Sequence, residues 1–248
     1  MTKKLLIIFA IALLSYSTAS AQVGELRSTF SIGGNAGYVL SNVGFVPKVT
    51  QNYHGGNTFG FSMRYTCEKY FATICSVAAE VNYAQLGWKE KILTQQDVPV
   101  TIADTDIPMA YQRNINYVQV PVMAHLAWGR ETKGVNGFIN LGPQFGAYLN
   151  DSYDSNFDIR DESAYKLSER ACKTIVQDTM RIENSFDYGI VAGAGIEFSH
   201  PKIGHFLIEG RYYYGLGNIY GDTKKDYFGR SNYGNIVIKA TYLFDLFK

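Results

Sequence analysis

Long and short connections alternate along this sequence without exception, and few architectures impose that rule. Eight segments carry period-two alternation of apolar with polar or small residues, at about 28 to 40, 57 to 67, 75 to 87, 115 to 128, 137 to 149, 186 to 198, 205 to 215 and 234 to 246. The gaps between them are about 16, 7, 27, 8, 36, 6 and 18 residues. A soluble sandwich has no cause to alternate in this way. An up-and-down barrel inserted into a membrane from one side does, because its turns on that side are short and its loops on the far side are long. Each segment can cross a hydrocarbon layer as a tilted strand, which takes about 9 to 11 residues. With both termini periplasmic, an even strand number puts all four long loops outside the cell. The expected fold class is all-β, an eight-stranded antiparallel up-and-down transmembrane β-barrel with long extracellular loops and short periplasmic turns.

The stretch FDYGIVAGAGIEF at 186 to 198 shows which face is which. One face is Tyr188, Ile190, Ala192, Ala194, Ile196 and Phe198, and the other is Asp187, Gly189, Val191, Gly193, Gly195 and Glu197. In a membrane barrel the apolar face looks out to lipid, and the charged, glycine-relieved face looks into a narrow lumen. The same assignment sends Val118, Val120, Val122, Ala124 and Leu126 outward, with Gln119 and His125 inward. In the last strand Ile236, Ile238, Ala240, Tyr242 and Phe244 point outward, alternating with Val237, Lys239 and Thr241. Outward aromatics then fall into two belts at the expected membrane boundaries. Tyr65, Trp128, Phe198, Tyr242 and Phe244 mark the periplasmic one, and Tyr38, Phe59, Tyr83, Tyr188 and Tyr214 the outer one.

The first residues point to export. Lys3 and Lys4 precede the apolar run LLIIFAIALL and a small-residue stretch ending at Ala21, which is the pattern of a secretory signal peptide over 1–21, cleaved after Ala21. That run is about half of what a spanning helix needs. No Cys follows the cleavage site to carry a lipid anchor. Residues 22–248 then read as one outer-membrane β-barrel domain, without repeat or linker. Removal of the two lysines takes the formal charge from +1 to −1, far from the basic footprint of a nucleic-acid binder. No later apolar run reaches 18 residues, which excludes helical membrane spans.

The inward-facing charges in this register are Arg64, Glu80, Asp187, Glu197, Glu209, Arg211 and Lys239. Their near-cancellation argues for a structural lumen ion-pair network, since an unpaired charge in a confined interior is costly; a proton or ion pathway is the alternative. If the second and third strands turn about Phe71, Arg64 faces Ala78 and lies diagonal to Glu80, within reach. Cys67 and Cys75 flank the same turn, opposite each other on one face, and in an oxidising periplasm they either form a disulfide or stay free. Cys172 is a free thiol or an intermolecular link. Of His54, His125, His200 and His205, the last two flank a short turn that Pro201 and Gly204 already explain. No metal-ligand pattern completes there, no catalytic triad-like grouping falls at the strand ends, and no cofactor motif is present. Asp151, Asp154, Asp158, Asp161 and Glu162 open the longest loop without matching an EF-hand series, so they read as a solvated acidic segment. Ala164, Leu167, Ala171 and Ile175 follow helical spacing with Asp161 as cap, a helix placed to lie across the barrel mouth.

Five stretches carry a family resemblance: VAAEVNYAQLGW at 77 to 88, NYVQVPVMAHLAW at 116 to 128, GFINLGPQFGAYL at 137 to 149, FDYGIVAGAGIEF at 186 to 198 and IEGRYYYGLGNI at 208 to 219. In this order they resemble the PorT-like outer-membrane β-barrel family typical of the Bacteroidota. The resemblance implies an eight-stranded barrel in the outer membrane and, for the member that gives the family its name, a part in the type IX secretion route. Glu80, Pro121, Gly142, Asp187, Gly189, Arg211 and Gly215 match the family's usual positions, and their character is structural. The C-terminus departs from the pattern, since DLFK follows Phe244 where an outer-membrane strand usually ends on an aromatic.

The expectation is therefore an integral outer-membrane barrel without enzymatic activity, in contact with outer-membrane lipids. Its loops would bind a surface or secretion partner, with no nucleic acid, small-molecule substrate or cofactor indicated. The rival readings are a small channel, an outer-leaflet lipid-modifying enzyme and a soluble periplasmic sandwich.

Overall fold

The computed structural model describes residues 28–70, 73–102, 105–130, 133–221, 223 and 226–247, so the signal segment read over 1–21 lies outside the described residues. The strands are β1 (Thr29–Val46), β2 (Gln51–Asn52), β3 (His54–Tyr70), β4 (Thr73–Glu90), β5 (Tyr111–Trp128), β6 (Gly134–Ser155), β7 (Phe186–His200), β8 (Gly204–Gly215) and β9 (Arg230–Phe247). All but β2 are long and rich in aromatic and β-branched residues, which suit a pleated surface. Each long strand pairs antiparallel with the next. β9 returns to β1, with Ile32 opposite Phe244, and β4 meets β5, so the ring of eight long strands closes. Closure leaves no unpaired edge for lipid to solvate. β2 is a two-residue ladder on the loop-side end of β4, with Gln51 opposite Glu90.

The faces follow the alternation. Ile190 and Ile238 are 50% and 61% exposed on the outside of the ring, while Glu209 and Arg211 are 4% and 6% exposed within it. Both aromatic belts point outward: Tyr65, Trp128, Phe198, Tyr242 and Phe244 are exposed toward the short turns, and Tyr38, Phe59, Tyr188 and Tyr214 toward the long loops. The glycines on the inner face of β7 make room for large neighbours. A Cβ on Gly193 would lie 2.4 Å from Glu209 Oε1 and 2.8 Å from Arg211 Cγ, and one on Gly195 would lie 2.6 Å from the Phe138 ring.

Three features differ from expectation. The strands reach further past the loop-side belt than the alternation suggests, β1 to Val46 rather than 40 and β6 to Ser155 rather than 149. This collar stands in water, and it pairs because its interior is apolar rather than charged. Val39, Val43, Phe45, Leu86, Trp88, Tyr111, Ile115 and Tyr117 form one buried cluster there. Cys67 and Cys75 are free thiols. A bulge between Thr66 and Glu68 sets Cys75 opposite Glu68 and pushes Cys67 out of register, so the expected juxtaposition is lost. Nor does the helix read over Ala164 to Ile175 form. Asp161 does cap a turn, accepting from the Ser163 N–H, but that 3₁₀ turn spans only Glu162–Tyr165 and stops where Lys166 adopts a left-handed φ of 48°. A single helical turn, α1 (Val176–Thr179), follows. Burying Tyr165 and the Ile175–Met180 segment over the mouth takes precedence over the weak helical period.

Candidate functional site

The lumen has three levels, and all the expected charges except Asp187 occupy the lower two. At mid-barrel, Arg211 on β8 donates from Nε to Glu209 Oε1 at 2.8 Å and from its two terminal nitrogens to both oxygens of Glu80 on β4, at 2.9 and 2.8 Å. Lys239 on β9 also donates to Glu80. Asn82 donates to Glu80 at 2.8 Å, and Asn35 links Asn82 to Ser62. Two acids and two bases thus cancel in a site closed to water, with charge-assisted bonds on each.

Toward the short turns, Arg64 on β3 ion-pairs with Glu197 on β7 at 2.8 Å. It stands opposite Ala78 as expected, yet it does not reach Glu80. Glu80 is already saturated by Arg211 and Lys239, and the long Arg64 side chain meets Glu197 of the opposite wall instead. His205 bridges Glu197 at 2.7 Å and Asp245 at 3.1 Å, and His125 lies 3.4 Å from Glu197. Asn140 ties the two levels together, taking part in a 2.8 Å bond with His125 Nδ1 and donating to Glu209 at 2.8 Å. A cavity of about 330 Å³ opens at this end among Ser31, Arg64, His125, His205 and Asp245. Asp187 stands apart from both clusters, accepting from the Tyr213 hydroxyl at 2.7 Å. His54 belongs to neither, its Nε2 lying 2.5 Å from Asn114 Oδ1, while His200 caps the turn by accepting from the Lys202 N–H.

The third level is the cap, of which the sequence announced only a segment of the longest loop across the mouth, read there as a helix. Each of the four loop-end connections drops buried apolar side chains onto the collar. Val49, Val100 and Met109, Ile159 and Tyr165, and Ile219, Tyr220 and Phe228 join the cluster around Trp88. Phe45 meets Trp88 edge-on at 5.3 Å and Phe228 at 4.9 Å. Between the cap and the mid-barrel charges, the cavity beside Tyr213, Arg211 and Lys239 holds about 20 Å³, room for about one water.

Polar groups pin the cap. Arg113 on β5 donates to Asp151 Oδ2 at 2.9 and 2.6 Å and to the carbonyls of Gln177 and Met180 at 3.1 and 2.6 Å. Gln177 donates to Glu90, and Arg170 lies 4.0 Å from the same carboxylate. Asp178 sits beside Glu90 at 2% exposure, and its carboxyl oxygens meet no fixed donor, so a proton shared with Glu90 is the partner left to them. Burial and the neighbouring carboxyl hold Asp178 far above the usual carboxylate range, and burial raises Glu90 too. No periodicity marks these residues; Asp151 alone was visible, as one of an acidic series.

This pair predicts a pH dependence. A carboxyl whose folded pKa is raised keeps a proton that the unfolded chain releases, so stability falls as pH climbs from the ordinary carboxylate range toward the raised value. Asp178→Asn removes that loss and is expected to gain about 1 kcal/mol near pH 8. Thermal melts of the detergent-solubilised protein at pH 5 and pH 8 read it. The variant should show the smaller drop between them, and equal drops would refute the shared proton.

The family described as "Outer membrane protein beta-barrel domain" matches residues 20–221. Among solved structures, the chain is similar to the attachment invasion locus protein Ail of Yersinia pestis, at 18% identity and a TM-score of 0.35, covering 89% of this chain and 100% of that one. It is similar to OprG from Pseudomonas aeruginosa at 11% identity and 0.43, covering 89% and 98%. Neisserial surface protein A follows at 10% and 0.40, covering 88% and 99%. No curated protein sequence matches.

Proposed function

We infer that this chain, which belongs to the outer membrane protein beta-barrel domain family, is an outer-membrane barrel without enzymatic activity whose exposed loops bind a partner or support protein secretion. The mature protein on this reading is residues 22–248, freed of the signal peptide over 1–21. Its lipid-facing belt holds it in the membrane, and the seven lumen charges serve the barrel rather than a substrate. The observation that carries the reading is the filled interior. With about 20 Å³ beside Arg211 and an aromatic cap above it, the lumen offers solutes no path, so recognition falls to the loop-end surface. The secretion role, and with it the PorT-like assignment, is supported by the five matched stretches from 77 to 219 alone.

Purified protein in planar bilayers is expected to give no ohmic steps. Steps of fixed size in most insertions would replace this reading with a small channel. The partner is sought by crosslinking in native membranes followed by capture of the barrel, with export of secreted cargo compared between wild type and a deletion strain. Unchanged export would remove the secretion role, and failure to capture any crosslinked protein would remove the partner.

A further inference from the structure

A second concavity, of about 660 Å³, lies at the loop end between the outer parts of β5 and β6 and the segment that carries α1. Its charges do not cancel. Arg113 and Asp151 satisfy each other, and the second oxygen of Asp151 accepts from the Tyr148 hydroxyl. Asp178 is buried in the floor, where burial and the neighbouring Glu90 hold its carboxyl far above the usual carboxylate range. What remains is Arg160 and Arg181, both exposed at the rim.

Neither guanidinium makes an ion pair or a side-chain hydrogen bond among the described residues, although the segment offers several acids. Asp158 accepts from the Arg160 N–H at 2.9 Å, and Asp161 is spent on Ser163. Asp154 and Glu162 pair with no arginine. Two exposed arginines over a concave surface, with Asp151 held by Arg113 and Tyr148 and Asp178 buried in the floor, present guanidinium donors that no lining carboxylate takes up. The arginine fork matches an oxyanion, whether phosphate, sulfate or carboxylate. The rest of the lining suits a flat or apolar body. Tyr153 is half exposed and stacks on Tyr111 at 6.3 Å, while Ile159, Met180 and Ile182 form the wall and Ser152 adds a hydroxyl. The volume is that of a small-ligand pocket.

Position selects the source. Tyr188 of the outer belt stands opposite Phe145, and Tyr153 lies eight positions further along β6. At about 3.3 Å per residue this is roughly 25 Å of strand, which clears the headgroups even with a barrel strand's tilt.

We propose that this cleft binds, from the aqueous side, a small ligand that carries an oxyanion on a ring or other flat apolar body. The inference rests on the reading that the loop end is where this barrel does its work, and it adds the ligand's chemistry.

The test uses the full mature chain in phosphatidylcholine nanodiscs, titrated calorimetrically with 4-nitrophenyl phosphate and with neutral 4-nitrophenyl glucoside. Saturable binding of the phosphate is expected, at least tenfold tighter than the glucoside. The Arg160→Ala/Arg181→Ala variant should lose at least tenfold, and Arg160→Lys/Arg181→Lys should recover part of it. Both side chains are exposed, and unchanged gel mobility of the unboiled variants confirms that the barrel is intact. Absent saturation, equal affinity for the glucoside, or an unaffected alanine variant would overturn the proposal. Repeating the titration with lipid A in the discs separates the sources: unchanged binding supports an aqueous ligand, and loss of binding hands the cleft to lipid phosphate and overturns it. Partner capture from native membranes is a separate readout, so failure here does not stand for failure there.

Discussion

Arg211→Ala is expected to destabilise the folded barrel by about 3 to 5 kcal/mol, because it strands buried carboxylates rather than because it removes an attractive pair. Arg211 gives Glu209 and Glu80 four hydrogen bonds at 2.8 to 2.9 Å, and it is 6% exposed. After the substitution Lys239 still answers Glu80, while Glu209 keeps only Asn140. The distinguishing variant is Arg211→Met/Glu209→Gln, which removes the orphaned charge together with its partner and should recover most of the loss. Urea unfolding in detergent micelles, followed by tryptophan fluorescence and by mobility of unboiled samples, measures both. A single-variant loss below about 1 kcal/mol would mean that water reaches mid-barrel, and the filled-lumen argument would fail with it.

Why this network could be anticipated only in part shows where a sequence stops being legible. Membership was readable, because alternation fixes which wall each residue faces: once Ile190 looks to lipid, Asp187 and Glu197 cannot. Partnership was not. Arg64 chooses Glu197 and Arg211 chooses Glu80 across the lumen, and those choices depend on how far the sheet is sheared before it closes, which no single strand encodes. The bulge at Cys67 is of the same kind, one extra residue that leaves the alternation on either side intact. The outer collar was missed for a different reason. Val43, Phe45, Trp88 and Tyr111 turn an apolar face inward, so the contrast that marks a membrane strand disappears just where the strand leaves the membrane. Loop residues such as Ile159, Tyr220 and Phe228 carry no period at all, and their burial is a product of the mouth they cover. Arg160 and Arg181 stand among acids in the chain, and only the fold shows that none of those acids pairs with either guanidinium.

Trp88→Ala is expected to remove about 3 to 5 kcal/mol, and to do so at the cap rather than in the barrel. Trp88 is fully buried, meets Phe45 edge-on, and has the Arg113 guanidinium 5.6 Å from its ring centroid. Arg113 in turn holds the Gln177 and Met180 carbonyls, so the indole supports the side chain that ties the longest loop down. Its Nε1 has no hydrogen-bond partner, so Trp88→Phe gives up ring volume but no bond and should lose less than half as much. The mid-barrel ion pairs lie below the cap and share no side chain with Trp88, which is the reason to expect separate responses. Limited trypsin digestion should cut the alanine variant at Arg160, Lys166, Lys173 or Arg181 at least tenfold faster than wild type. The unboiled band of the trimmed barrel should persist. If that band vanished together with loop protection, cap and barrel would be a single cooperative unit, and the loops would be part of what closes the ring rather than a surface mounted on it.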